Sequence, residues 1–263
     1  MIPTTHYGCM NNDQTKRVQA DDTLVSILEA IQDTRGATAS EIADIVGVSK
    51  STAYRHLTTL HDHRLVTKQN GTYDLSLRFL DLGGYAREQN TVFGDIKPTL
   101  KNIAEETGEF VGFLVEEDGL GVYLHGEMGN KGVQNDVRIG RHVHLHQSAA
   151  GKAILGSLPE QRVEEIIDEH GLPAKTPETI TDRDHLKEEL ATIRNRRYAY
   201  ARDEHTDGLW AVGVPVHDRT DQVAGAILVA GPTHRMHGEW FEQGLPEYLK
   251  GTVKEFELNH SFS

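Results

Sequence analysis

The stretch Ser49–Leu60, SKSTAYRHLTTL, packs hydroxyls, a lysine, a tyrosine and an arginine into a little over three helical turns. Residues of these types bind nucleic acid. Arg55 can reach a guanine edge with two hydrogen bonds or clamp a phosphate, and Ser51 and Thr52 can donate to either. Tyr54 can reach the sugar-phosphate or a thymine methyl. Lys50 and the backbone amides after Ser49 suit a phosphate at a helix start. Thr59 stands one turn beyond Arg55, on the same side. Farther on, Lys68 and Gln69 can touch backbone or minor groove. Across residues 48–72, Lys50, Arg55, Arg64 and Lys68 stand against Asp62 alone, a local positive island in a chain of net charge −13.

Other constellations carry less. His142, His144 and His146 alternate in RHVHLHQ. On a strand they would share one face, a spacing that can ligate a metal. No cysteine joins them, and His125, Asp203, Glu204 or His205 would have to complete the shell. A solvated or partly buried histidine run beside the pocket explains the pattern better, and we assign no metal. AAGK, ending at Lys152, lacks the leading glycine of a phosphate loop, and Ala153 stands where a hydroxyl would hold magnesium. Ser148 beside His146 has no orienting acid. DEHTD, residues 203–207, offers paired carboxylates, but a charge run in an acidic chain reads as a solvated loop. No catalytic set and no cofactor emerge, so an enzyme is not expected.

The elements that must position the basic stretch are legible around it. Leu24, Ile27, Leu28 and Ile31 repeat with helical period. Thr38 and Glu41 have capping-box spacing before a second helix that stops at Gly47. Ser49 caps a third. On it Ala53, Leu57 and Leu60 face inward, and Ser51, Arg55, Thr58 and Thr59 outward. Two short strands around Asn70-Gly71 form a hairpin. Helix, helix, tight turn, helix and hairpin describe a winged helix-turn-helix over residues 21–76, whose third helix enters a major groove. A connector helix follows over 77–91, with Leu77, Leu80 and Tyr85 on one side and a bend at Gly83-Gly84. A further helix ends at Gly108. Beyond it, hairpins at 110–115/120–125 and 209–217/223–230 enclose helices near 149–156, 160–169 and 182–197, and a last helix covers about 239–258. The class is α+β, with an antiparallel sheet.

The chain has 263 residues, enough for two domains. Residues 1–86 hold 8 Lys/Arg against 10 Asp/Glu, and residues 87–263 hold 19 against 30. The acidity thus lies mostly in the C-terminal part and opposes loose polyanion binding. Few lysines and many carboxylates suit a salt-rich, haloarchaeal cytoplasm, where charge repulsion is screened. Residues 1–20 read as a disordered tail without a signal peptide. Its single cysteine, Cys9, has no partner for an internal disulfide. No apolar run reaches membrane-spanning length, so a cytoplasmic protein is expected.

SKSTAYRHLTTL, GTYDLSLRFLDLG, LHQSAAGKAIL and DEHTDGLWAVGVPV together resemble the IclR family of transcriptional regulators, over about residues 22–258. The resemblance implies a winged helix joined to a GAF-like effector domain (92–258). It also implies homodimers or homotetramers, double-stranded operator DNA as partner, and a small-molecule effector from a catabolic (sugar or organic-acid) pathway. The chemistry of the helix and wing gives the DNA-contacting set Ser49, Lys50, Ser51, Thr52, Tyr54, Arg55, Thr59 and Lys68, and residue-for-residue match to the family gives the pocket. The effector would be held by Ser148, Ala149, Ala150, Leu209, Ala211, Leu228 and Ala230, with Asp203, Glu204 and His205 at the rim. Leu228 and Ala230 stand where organic-acid sensors carry small polar side chains, so a less polar pocket is expected. A domain serving only assembly is the alternative, and behind it an enzyme domain fused to the winged helix.

Overall fold

A computed structural model describes residues 17–133 and 137–261. Cys9 and most of the expected tail lie outside the described residues. Gln19 and Ala20, at the end of that expected tail, already belong to helix α1 (Gln19–Thr34). The chain divides into two compact units, with the division between Ala86 and Arg87.

In the first unit, α1 buries Ile27, Ala30 and Ile31 and ends at Arg35 in the left-handed region. Helix α2 (Ala39–Val46) starts at the capping box: Thr38 N–H donates to Glu41 Oε2 at 2.8 Å, and Glu41 N–H to Thr38 Oγ1 at 3.3 Å. Helix α3 (Lys50–Asp62) starts where Thr52 N–H donates to Ser49 Oγ at 3.1 Å. Strands β2 (Val66–Gln69) and β3 (Thr72–Leu75) turn at Asn70 and Gly71, whose φ of 52° and 87° are the paired positive values of a type I′ turn. A two-residue strand β1 (Ala37–Thr38) adds to β3, giving the order β1-β3-β2. Ile27, Ile31, Ile42, Leu57, Leu60, Val66 and Tyr73 close one core among all of these.

Helix α4 (Arg78–Glu88) differs from expectation. It is helical straight through Gly83 and Gly84, with no break there, and it is shorter than 77–91. It buries none of its residues.

In the second unit, α5 (Phe93–Thr107) precedes a six-stranded antiparallel sheet of order β6-β5-β4-β9-β8-β7. Its hairpins are β4 (Phe110–Glu117) with β5 (Leu120–Met128), and β8 (Leu209–His217) with β9 (Val223–Pro232). The short edge strands β6 (His142–His144) and β7 (Ala199–Arg202) complete it. Alternating side chains serve two faces. Val111, Phe113, Ile227 and Val229 pack with α5 and α9 (Leu245–Ser261), which follows a π-helical turn at Trp240–Gly244. Phe110, Leu114, Ala226 and Leu228 pack with α6 (Ala149–Ser157), α7 (Glu160–His170) and α8 (Arg183–Arg196). That second face carries the pocket. No helix among the described residues is long and apolar enough to cross a membrane.

Candidate DNA interface and effector pocket

On α3, Ala53, Leu57 and Leu60 are buried, while Lys50, Ser51, Tyr54, Arg55, Thr58 and Thr59 are exposed. Apolar burial therefore dictates which face is offered. Ser49 is a positioning residue: its Oγ caps the helix and lies 2.8 Å from both Ser51 Oγ and Thr52 Oγ1. Thr59 Oγ1 donates back to the Arg55 carbonyl at 3.2 Å, so it has an acceptor to offer and no spare proton. Arg55 and Lys50 make no ion pair among the described residues, leaving both cations available to DNA. Lys68 on the wing sits over the rings of Tyr54 (5.8 Å) and Tyr73 (5.0 Å). Its amine is held above the ordinary lysine range chiefly by the Tyr73 hydroxyl. Lys68 thus braces the wing against the helix through Tyr54.

In the second unit, a small cavity of about 50 Å³ opens above the start of α6. Of the effector residues expected from the sequence, Ser148, Ala149, His205, Leu209, Ala211, Leu228 and Ala230 line it. Ala150 does not: it is wholly buried in the core beneath. Asp203 faces elsewhere, accepting from Trp210 Nε1 at 2.8 Å and Gly208 N–H at 2.7 Å. Glu204 turns away from the cavity to meet Lys152.

Phe110, Tyr123, Val137, Ala201 and Thr206 also line the cavity and were not anticipated. Three of its walls form a row: Ala201 pairs with Ala211, and Ala211 with Ala230, so three alanines stand side by side on β7, β8 and β9. Phe110 continues the row opposite Ala230. The strand alternation that places Leu228 on this face was the available signal.

The polar groups are few. Ser148 Oγ accepts from Gly151 N–H at 3.0 Å and starts α6. Tyr123 is almost wholly buried, and among the described residues its hydroxyl has no hydrogen-bond partner. Burial pushes its phenol well above the usual range. The helix reaches the sheet closely because Gly213 of β8 has no side chain; a Cβ there would lie 2.6 Å from Ala150 N.

Behind the wall, Lys152 Nζ donates to Glu204 Oε2 at 2.5 Å, with both side chains buried. Arg202 N–H adds a bond to Glu204 Oε1 at 3.2 Å, and Thr179 Oγ1 donates to the Glu204 carbonyl at 2.7 Å. Burial pushes the Glu204 carboxyl up, and Lys152 pulls it back. Lys175 Nζ donates to His205 Nε2 at 2.9 Å. The loop that forms the wall is thus pinned from outside the cavity.

The histidines do not share a strand face. Strand β6 ends at His144, and a 3₁₀ turn, Leu145–Gln147, buries His146 against the Pro173 carbonyl at 3.1 Å. His146 is pushed down to about 4, first by burial. Its ring lies 5.7 Å from that of His144, which lies 6.4 Å from His170. Among the described residues no three His, Cys, Asp or Glu side chains are grouped to hold a metal ion.

A capped helix with unpaired cations followed by a wing, and a separate sheet-and-helix unit with an apolar pocket, define a winged-helix regulator of transcription. The family comparisons place it further. Residues 23–70 match the IclR helix-turn-helix domain, and residues 86–256 match the bacterial transcriptional regulator IclR C-terminal domain. The chain belongs to the IclR family of DNA-binding transcriptional regulators. It is 31% identical over 252 residues to a probable HTH-type transcriptional regulator ArcR of Halobacterium salinarum, covering 94% of this chain and 96% of that one. The crystal structure of Thermotoga maritima IclR superposes with a TM-score of 0.76 at 27% identity, covering 92% of this chain and 97% of that one. An IclR homolog from Microbacterium hydrocarbonoxydans, complexed with 4-hydroxybenzoate, has the same fold at 20% identity and a TM-score of 0.76, covering 93% of this chain and all of the other.

Proposed function

We propose that this regulator binds its operator as a homodimer or homotetramer and responds to a small molecule held in the pocket above α6. The division of labour is residues 21–76 for DNA, 77–91 as connector and 92–258 for the effector. The unpaired Arg55 on an exposed helix face carries the DNA reading. Ser51, Thr52 and Tyr54 accompany it at base edges and sugar-phosphate, with Lys50, Thr59 and Lys68 on the backbone.

Assembly follows from α4. Leu77, just before α4, and Leu80 and Tyr85 on it are 82%, 71% and 70% exposed, too much apolar surface for a segment facing water. A second copy covers it. Effector binding biases the placement of α4 in the pair and hence the spacing of two recognition helices, which must match half-sites about 34 Å apart. The family favours a sugar or organic-acid catabolic operon and a cytoplasmic regulator.

The alanine row and Leu228 favour an effector with a compact apolar body, and the unpartnered Tyr123 hydroxyl favours one polar group on it. The ligand-bound homologue supports a pocket of this kind. A thermal-shift screen of sugars, sugar acids, organic acids and aromatics, followed by operator mobility shifts with each hit, tests the reading. Stabilisers that alter operator affinity are expected. The small volume of about 50 Å³ favours one competing reading, a domain serving only assembly. A screen without stabilisers would select it.

A further inference from the structure

A second cleft in the C-terminal unit, of about 280 Å³, lies away from the effector pocket. It is formed by the end of α6 at Gly156 and Ser157, the end of α8 at Arg194 and Arg197, and the β8–β9 hairpin at His217 and Asp221. This unit holds a large excess of acid, and among the described residues carboxylates pair with Arg162, Arg183, Arg196, Arg202 and Arg235. Arg194 and Arg197 have no carboxylate partner among the described residues, and both border this one cleft.

The two guanidinium groups are set up differently. Arg194 Nε donates to the Gly156 carbonyl at 3.2 Å, which fixes the fork at the cleft edge and leaves its other four N–H groups unused. Arg197 sits at φ 66°, a left-handed position that glycine fills without strain at a helix end. Its backbone N–H caps the Ile193 carbonyl at 2.7 Å, while its whole guanidinium stays free. Competing acids are mostly occupied. Glu257 is bound to His217 Nδ1 at 3.1 Å, and Asp218 accepts from Thr220 and Gln222. Among the described residues lining the cleft, Asp221 is the carboxylate left uncommitted at the rim.

We propose that this cleft is a second ligand site, for a compact phosphate-bearing molecule. Two planar forks with nine free N–H groups between them match phosphate oxygens, which accept pairs of parallel hydrogen bonds. The room exceeds that of a single phosphate and suits a pyrophosphate or a small phosphate ester. Helix α6 and strand β8 each border the effector pocket at one end and this cleft at the other.

Isothermal titration of the purified full-length protein with pyrophosphate, inorganic phosphate and citrate, at constant ionic strength, tests the proposal. Saturable binding of pyrophosphate, tighter than citrate, is expected. Arg197→Gln, an exposed change that keeps the Arg194 anchor, should weaken it by at least about tenfold, and Arg194→Gln with Arg197→Gln should remove it. Undiminished binding in Arg197→Gln, equal binding of citrate, or no saturable heat would each overturn the assignment. So would loss of binding in Arg55→Ala with Arg197→Gln unaffected, since the anion would then sit on the recognition helix.

Discussion

Lys152 and Glu204 meet at 2.5 Å from opposite sides of the pocket wall, the lysine on the helix that forms the floor and the glutamate on the loop that forms the side. A lysine in the core would be intolerable alone, and the buried carboxylate answers it. The two residues lie 52 apart in sequence, so this single bond ties floor to wall.

Lys152→Met should therefore leave Glu204 buried without its cation and cost about 3–5 kcal/mol. Lys152→Met with Glu204→Leu should recover much of that, because an apolar pair removes both desolvation penalties. Urea unfolding of the wild type, both single variants and the double variant gives the coupling. Additive single effects would show that the pair does not act as a unit.

Acid should unfold the protein partly through His146. Its neutral ring is favoured in the fold, where burial pushes the group down to about 4 from the usual 6.5. The unfolded chain takes up the proton first, so the contribution is complete above pH 6.5 and drains away as the pH falls toward 4. The gap corresponds to about 3 kcal/mol. His144, pushed down by burial and then by His170, acts in the same sense. His146→Gln should flatten the dependence of unfolding free energy on pH between 7 and 4; an unchanged slope in that variant would sink the assignment.

Arg55→Ala should cost about 1–3 kcal/mol of operator binding and relax preference at one base pair. Lys50→Ala should weaken binding evenly across sequences and lower the salt slope by about one. Mobility-shift titrations at several salt concentrations separate the two. Equal behaviour of both variants would mean that Arg55 touches phosphate and not a base edge.

Gly83→Ala should stabilise the protein by up to about 1 kcal/mol, because the position is helical, lies off the Leu80–Tyr85 face and has nothing to crowd an added methyl. Thermal melts check this. Destabilisation by this change would show that α4 bends at the Gly83-Gly84 pair after all.

The helices of the DNA-binding unit were readable because each carries its own punctuation: the Thr38–Glu41 box, the Ser49 cap and the Asn70-Gly71 turn are all local. The antiparallel hairpins were readable from strand period and from polar turns, Asp118-Gly119 in one and Arg219-Thr220-Asp221 in the other. Strands β1, β6 and β7, of two, three and four residues, are too short to show a period. Continuity of α4 through two glycines defied propensity, which is weak against a good helical frame on both sides. The His146 misplacement came from extending a strand period through a 3₁₀ turn. Lys152 looked like part of a failed phosphate loop because its partner arrives from a distant loop. Phe110 and Tyr123 were missed as pocket walls because sheet register, set by pairing with β9, decides which side chains meet there.

The alanine row Ala201, Ala211 and Ala230 has a consequence for how such regulators diversify. Each residue contributes a single methyl to the same wall from a different strand, and each belongs to a ladder whose backbone bonds do not depend on the side chain. Exchanging one for serine, valine or glycine would redraw the chamber by a few atoms while the strands stay paired. A lineage could retune its chemical signal one codon at a time, leaving the recognition helix and the operator it reads untouched.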